Sequence, residues 1–247
     1  MTLFTSERQM KSNLNRFSLF ALMCLMSVSI VMAAPACPTT TLALGTPAPA
    51  YENADGSSNG YVCDFGGLEF SAFHSNTPTV PPASIGVSPI YQPGTTPPNT
   101  NPGFEFNGPW LVGSNQAEDV SVSFTVAALS GLLTDVHIQL DNSSVTGTGQ
   151  VHYSETVCLS ANNCNLFVDN PTTGSLSTDL ILTTPSQSIM ITKDLIISGG
   201  SNGTAAMSDF SNYYSHTVPE PRAVSALLGL GFFGIMAFMK RRQAVRS

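Results

Sequence analysis

The feature that most constrains the fold is a strict alternation of apolar and polar side chains in the middle of the chain. Side chains of a β-strand point alternately to its two faces, so this period of two indicates strands with one buried face. The alternation returns at 135–140 and, more briefly, at 68–72, whereas no stretch of 34–218 has a convincing helical period. The first alternating stretch sets four apolar residues against four polar ones: Val120, Val122, Phe124 and Val126 against Asp119, Ser121, Ser123 and Thr125.

Turn-forming residues divide the chain into short segments. Eight of the 17 prolines lie in 76–103, which predicts a long Pro-rich loop, although its apolar run 85–91 could pair at a sheet edge. Polar runs at 141–144 and 199–203 predict two further turns, and 145–157 is then expected to be a return strand. The predicted fold is all-β: an antiparallel β-sandwich, jelly-roll-like, with a signal-peptide helix before it and a single transmembrane helix after it.

The N-terminal end has the layout of a secretory signal peptide. Basic residues at Arg8, Lys11 and Arg16 precede an uncharged, largely apolar run at 17–32, and small residues follow at Ala33 and Ala36. This order predicts export, with residues 1–36 as the signal peptide and cleavage after Ala33 or Ala36.

The segment left between the two ends, 37–217, is acidic. Residues 34–218 contain fourteen Asp and Glu but only one basic residue, Lys193, so their formal charge is about −13 against −7 for the whole chain. Such a charge repels phosphate groups, which argues against nucleic acid and anionic membranes as partners.

Four cysteines lie in the exported segment: Cys37, Cys63, Cys158 and Cys164. An even number in an exported protein predicts disulfide bonds, and three pairings are possible. Proximity in the sequence favours Cys37 with Cys63 and Cys158 with Cys164. A zinc site is the weaker alternative, because there is no Cys-x-x-Cys pair and no histidine near either cysteine cluster.

The C-terminal end combines three features in a fixed order. The tripeptide Pro219, Glu220, Pro221 comes first, an uncharged apolar run at 223–239 follows, and the basic residues Lys240, Arg241 and Arg242 come last. The apolar run would span about 26 Å as a helix, close to the thickness of a hydrocarbon core. The basic cluster predicts a transmembrane helix with its C-terminus in the cytoplasm.

These three features together resemble the PEP-CTERM sorting signal of Gram-negative bacteria, here residues 218–247. The resemblance implies a membrane protease, an exosortase, that recognises the tripeptide and removes the helix. It implies an inner-membrane-anchored precursor, transient contact with the inner membrane through 223–239, and delivery to the cell surface or the extracellular matrix. Exopolysaccharide is the partner that it implies.

A search for chemistry finds only weak candidates. The stretch 199–203 matches the Gly-x-Ser-x-Gly elbow of hydrolases around Ser201, but no helical pattern follows it. Segment 52–60 has the oxygen ligands of a calcium loop, although a polar turn is the simpler interpretation. Trp110 could be a sugar-stacking platform or a core anchor, and His137 is expected on a polar, solvent-facing side. No catalytic residue, cofactor site or metal site is therefore predicted.

The resulting hypothesis is an exported, non-enzymatic β-sandwich with a structural role in the envelope or the biofilm matrix. One alternative is a carbohydrate- or calcium-binding adhesion module that uses the Pro-rich loop and Trp110. Another is a secreted hydrolase built on Ser201.

Overall fold

The computed structural model describes residues 34–45, 50–76, 79–93, 101–160, 162–169 and 173–217. Most of the predicted signal peptide and the whole predicted sorting signal, with its tripeptide, apolar run and basic cluster, lie outside these residues. Within the described ranges, no helix is both long enough and apolar enough to cross a membrane.

The described part of the chain is built from strands, with one 3-10 turn at Pro82–Ser84. The strands are β1 Leu42–Ala43, β2 Val62–Phe65, β3 Leu68–Asn76, β4 Gly86–Tyr91, β5 Pro102–Asn107, β6 Leu111–Val112, β7 Ala117–Ala128, β8 Leu133–Thr146, β9 Gln150–Ser160, β10 Asn163–Asp169, β11 Thr173–Ser186, β12 Ser188–Ser198, β13 Thr204–Ala206 and β14 Asp209–His216.

These strands form two antiparallel sheets. The eight-stranded sheet has the order β1-β4-β5-β14-β8-β13-β6, with β11 paired to β8 outside this path. The six-stranded sheet has the order β10-β9-β12-β7-β3-β2. The predicted all-β antiparallel sandwich is confirmed, whereas the jelly-roll-like connection pattern stays a prediction.

The core lies between the two sheets and is rich in aromatic rings. Rings from opposite sheets meet at centroid distances of 4.4 Å for Phe70 with Phe104 and 5.9 Å for Tyr153 with Phe210. Such pairs add to the free energy gained by burying their apolar area. The alternation predicted for β7 is confirmed, since its four apolar residues at 120, 122, 124 and 126 are buried and the polar ones are not.

One predicted feature of local structure is wrong. The polar run 141–144 does not turn the chain, because β8 continues through it to Thr146 and the hairpin turn comes at 147–149. Asn142 lies within the run with φ of 49°, in the left-handed region, so the local turn signal corresponds to an irregularity inside a strand. The Pro-rich segment contains the pairing strand that its apolar run allowed, since β4 occupies 86–91 and lies between β1 and β5.

Both disulfide bonds have the pairing that sequence proximity favoured. Cys37 joins Cys63 and ties the segment before β1 to β2. Cys158 joins Cys164 across the hairpin of β9 and β10, where the two residues face each other in register. All four cysteines of the described residues are therefore cross-linked, as is typical of exported proteins.

Candidate functional site

The one Lys or Arg of residues 34–218 lies in the core of the sandwich. Lys193 is on β12 and its side chain is 1% exposed. Its Nζ lies over the rings of Phe106, Tyr153 and Phe210, at 5.2 to 5.9 Å from their centroids. Burial lowers the pKa of the Lys193 amine, and the neighbouring carboxylate of Glu155 opposes that shift.

Glu155 is the charged partner of this lysine. It lies on β9 directly opposite Lys193, its side chain is fully buried, and its Oε2 accepts a hydrogen bond from Lys193 Nζ at 2.8 Å. Tyr153, two residues earlier on the same face, donates its hydroxyl to the same oxygen and accepts a bond from Nζ at 2.9 Å. Burial, with Glu155 adding to it, raises the pKa of the Tyr153 hydroxyl well above its usual range.

The facing sheet contributes an amide to the same cluster. Asn212, on β14, is fully buried, and its Nδ2 donates to Glu155 Oε1 at 2.6 Å. Its Oδ1 is buried and accepts no hydrogen bond from the described residues. An amine and an amide thus flank one carboxylate across the sandwich, where the surrounding aromatic rings exclude water. We call Lys193, Glu155 and Asn212 the core triad.

The strand patterns in the sequence indicate that the three residues of the core triad are buried, although the overall composition does not. Lys193 is in phase with the buried residues of β12, Glu155 with those of β9, and Asn212 with those of β14. The apolar neighbours in phase with them are Ile191, Leu195, Tyr153, Val157, Phe210 and Tyr214. A polar residue in the apolar row of a strand is costly unless it is paired, so such residues point to a buried site.

A second cluster lies on the outer face of the eight-stranded sheet. His137, on β8, was predicted to face solvent, but it is only 9% exposed. Its Nδ1 lies 2.5 Å from Asp179 Oδ1 and its Nε2 lies 3.0 Å from Ser177 Oγ, both on β11. With the ring proton on Nδ1, Nε2 can accept the hydroxyl proton of Ser177, which itself is exposed. This is the order of hydroxyl, imidazole and carboxylate that hydrolases use to activate a serine.

The segment 52–60, weighed above as a calcium loop or a polar turn, is a turn held by its own hydrogen bonds. Asp55 Oδ1 accepts bonds from the Ser57 backbone N–H at 3.0 Å and from the Ser57 hydroxyl at 2.6 Å. Glu52 points into the protein instead and accepts a hydrogen bond from the hydroxyl of Ser75. Burial raises the pKa of Glu52 to about 7, and nearby Asp55 adds to the shift. No group of three or more metal-ligating side chains occurs in the described part of the chain.

Two other weak candidates from the sequence do not form sites. Trp110 is 2% exposed and packs 5.8 Å from the ring of Phe210, so it is a core anchor and not a sugar platform. Ser201 lies in the loop between β12 and β13, and the chain continues into a strand. The hydrolase elbow requires a helix at that point, so the elbow hypothesis is wrong.

Comparisons with known proteins give no close relative. No family model matches the chain, and no curated protein matches it. Among solved structures, the chain is similar to TmCBM61 in complex with β-1,4-galactotriose, at 14% identity and a TM-score of 0.34, over 60% of this chain and 90% of that one.

Two further structures match more weakly. One is a Family 11 carbohydrate-binding module from Clostridium thermocellum in complex with a β-1,3-1,4-mixed-linked tetrasaccharide, at 9% identity and a TM-score of 0.23, over 60% of this chain and 91% of that one. The other is the enzymatically active domain of tailspike protein 4 from bacteriophage CBA120. It matches at 11% identity and a TM-score of 0.27, over 58% of this chain and 19% of that one. Values this low support no argument about function.

Proposed function

We propose that this chain is an exported, non-enzymatic protein of the cell surface or the extracellular matrix, released or re-attached there by an exosortase. The observation that carries the proposal is the pairing of all four cysteines between 34 and 217 into two disulfides. Disulfides persist in oxidising compartments, which agrees with the apolar segments and basic flanks at both ends of the sequence.

The distribution of charge supports the same proposal. The only Lys or Arg among the described residues is Lys193, which is buried, so the solvent-facing charges of this part of the chain are carboxylates. A surface of one sign favours solubility and disfavours nucleic acid as a partner. Exopolysaccharide remains the proposed matrix partner.

The test is the C-terminus of the mature protein. The full chain is expressed in an exosortase-positive host and in the same host without the exosortase, and the surface protein is analysed by mass spectrometry. We expect a chain that ends near Pro221 only in the first host, and a Glu220→Ala variant that keeps its tail there. An intact Lys240–Arg242 tail in both hosts would show that the segment is a plain membrane anchor.

A carbohydrate- or calcium-binding adhesion module is the alternative function, and one exposed ring favours carbohydrate binding. Tyr91 ends β4 in the Pro-rich segment, is 48% exposed, and lies 4.6 Å from the ring of Phe65. A supported, exposed ring can stack on a sugar. On a glycan array with and without calcium, Tyr91→Ala should then lose binding and Leu111→Ala, which also removes an exposed apolar side chain, should not. An array on which the unmodified protein binds nothing removes this alternative.

The Ser177–His137–Asp179 cluster favours a second candidate function, the hydrolysis of an ester. The serine is exposed on β11, which pairs only with β8 among the described strands, so a substrate could approach it. The test is release of p-nitrophenol from p-nitrophenyl acetate by the purified protein. Activity that Ser177→Ala removes and Ser201→Ala retains would establish it, and activity that both variants retain would exclude this cluster.

A further inference from the structure

The core triad brings together an amine, a carboxyl group and a primary amide in a site closed to water. We propose that Lys193 and Asn212 become joined by an intramolecular amide bond between Lys193 Nζ and Asn212 Cγ, with Glu155 as the group that transfers the protons. The bond would link β12 of the six-stranded sheet to β14 of the eight-stranded sheet, through the centre of the core. This inference does not depend on the proposed function.

The geometry of Glu155 is the first argument. One carboxyl oxygen contacts the amine at 2.8 Å and the other contacts the amide nitrogen at 2.6 Å. The two reacting groups are thus held on either side of the residue that must carry protons between them. Holding reactants in this way replaces a bimolecular encounter with a step inside one molecule, which accelerates a slow reaction greatly.

The state of the amine is the second argument. Only a neutral amine has the lone pair needed to attack a carbonyl carbon, and burial lowers the pKa of Lys193 toward that form. Glu155 directly accepts the proton that Lys193 gives up. Burying a neutral amine and a neutral carboxyl group in an apolar core costs less desolvation free energy than burying the two charged groups. The rings of Phe106 and Phe210 that surround Nζ keep out the water that would compete as a nucleophile.

The state of the amide is the third argument. Asn212 Oδ1 is buried and has no hydrogen-bond partner among the described residues. Its Nδ2 is held on Glu155 Oε1 at 2.6 Å, so Glu155 can deliver a proton to the nitrogen that must leave as ammonia.

The reaction balances with the groups present. Lys193 Nζ passes one proton to Glu155 and its lone pair forms the new bond to Asn212 Cγ, while the carbonyl electrons move to Oδ1. Glu155 carries a second proton from Nζ to Nδ2, the bond from Cγ to Nδ2 breaks, and ammonia leaves as the carbonyl group reforms. The product is a secondary amide, and the first proton remains on Glu155. No oxidant, reductant or cofactor is required.

The chain itself provides a sharp test. Lys193 is the only Lys or Arg between Arg16 and Arg222, so trypsin can cut the denatured exported segment only there. The full chain is expressed with export, purified, reduced and denatured. We expect an intact mass lower by one ammonia, about 17 Da, and no tryptic cut at residue 193. Chymotrypsin, which cuts after Phe210, should then release a branched peptide that joins Lys193 and Asn212.

Variants identify each reacting group. Lys193→Met and Glu155→Gln should keep the full mass, whereas Asn212→Asp should lose water, about 18 Da, in place of ammonia. Tyr214→Phe is the matched control, because Tyr214 is buried on the same strand as Asn212 but its hydroxyl has no hydrogen-bond partner among the described residues, and this variant should still lose ammonia. The unmodified protein decides the matter even where a variant fails to fold. A full mass with Lys193 open to trypsin, or a mass loss mapped to other residues, would overturn the proposal.

Discussion

Replacing Glu52 with glutamine should stabilise the protein at about pH 8 and leave its stability unchanged at about pH 4. The Glu52 side chain is fully buried, accepts a hydrogen bond from the Ser75 hydroxyl, and has a second oxygen without a partner among the described residues. Burial raises its pKa from the usual 4.5 to about 7, against the opposing effect of the Ser75 hydrogen bonds. Glutamine has the same shape and keeps an oxygen that can accept from Ser75.

The magnitude follows from the two pKa values. A difference between 4.5 and about 7 corresponds to a free energy of about 3 kcal/mol, an upper value since glutamine also buries a polar group. Because the folded pKa is the higher one, the folded state prefers the protonated carboxyl group. This stability is fully present below the unfolded pKa and is lost as the pH rises through 4.5 to about 7.

Urea denaturation across this pH range measures the effect. The single tryptophan, Trp110, is buried in the core, so its fluorescence reports unfolding without a label. The free energy of unfolding of the unmodified protein should fall by up to about 3 kcal/mol relative to Glu52→Gln as the pH rises. Glu69→Gln, at a half-buried carboxylate on β3, is the control. Parallel pH profiles for the unmodified protein and Glu52→Gln would refute the reasoning.

Three other substitutions test the packing and the cross-links. Trp110→Ala should reduce the free energy of unfolding by about 3 to 5 kcal/mol, measured by circular dichroism, because it empties a core position; a loss below about 1 kcal/mol would contradict its role as an anchor. Replacing both Cys37 and Cys63 by serine should lower the free energy of unfolding by about 3.5 kcal/mol, and replacing both Cys158 and Cys164 by about 2 kcal/mol. The first loss is larger because the sequence separations are 26 and 6. The reverse order in chemical denaturation would contradict the loop-entropy argument. Gly67→Ala should cost about 1 to 2 kcal/mol in the same assay, because its φ of 86° in the β2–β3 hairpin disfavours a side chain, and an unchanged midpoint would show that the turn relaxes.

Much of the fold follows from the sequence because side-chain alternation is a local property. The buried row of β7 is visible as a period of two, and each disulfide joins two cysteines that follow one another in the sequence. The continuation of β8 through Asn142 was missed because polar residues that favour turns also occur at bulges. There Ser143 donates to the backbone of Gly174 on β11, a long-range contact that no local pattern contains.

The core triad shows where sequence reasoning stops. The phase of Lys193 within its apolar row indicates that it is buried, but the phase does not say which residue faces it. Glu155 and Asn212 lie 38 and 19 positions away, and they meet Lys193 only because β9 is beside β12 and β14 is across the core. The order of strands in a sheet depends on packing and connections rather than on local pattern, so the site needed the structure.

The position of β14 determines how the protein would respond to a pull from its C-terminal end. This strand lies between β5 and β8 in the interior of its sheet and ends at His216, shortly before the predicted sorting tripeptide. A force applied there, as when flow drags an anchored molecule, acts along the strand. The backbone hydrogen bonds on both of its sides are then loaded in shear at the same time. They must break together and cannot break one after another.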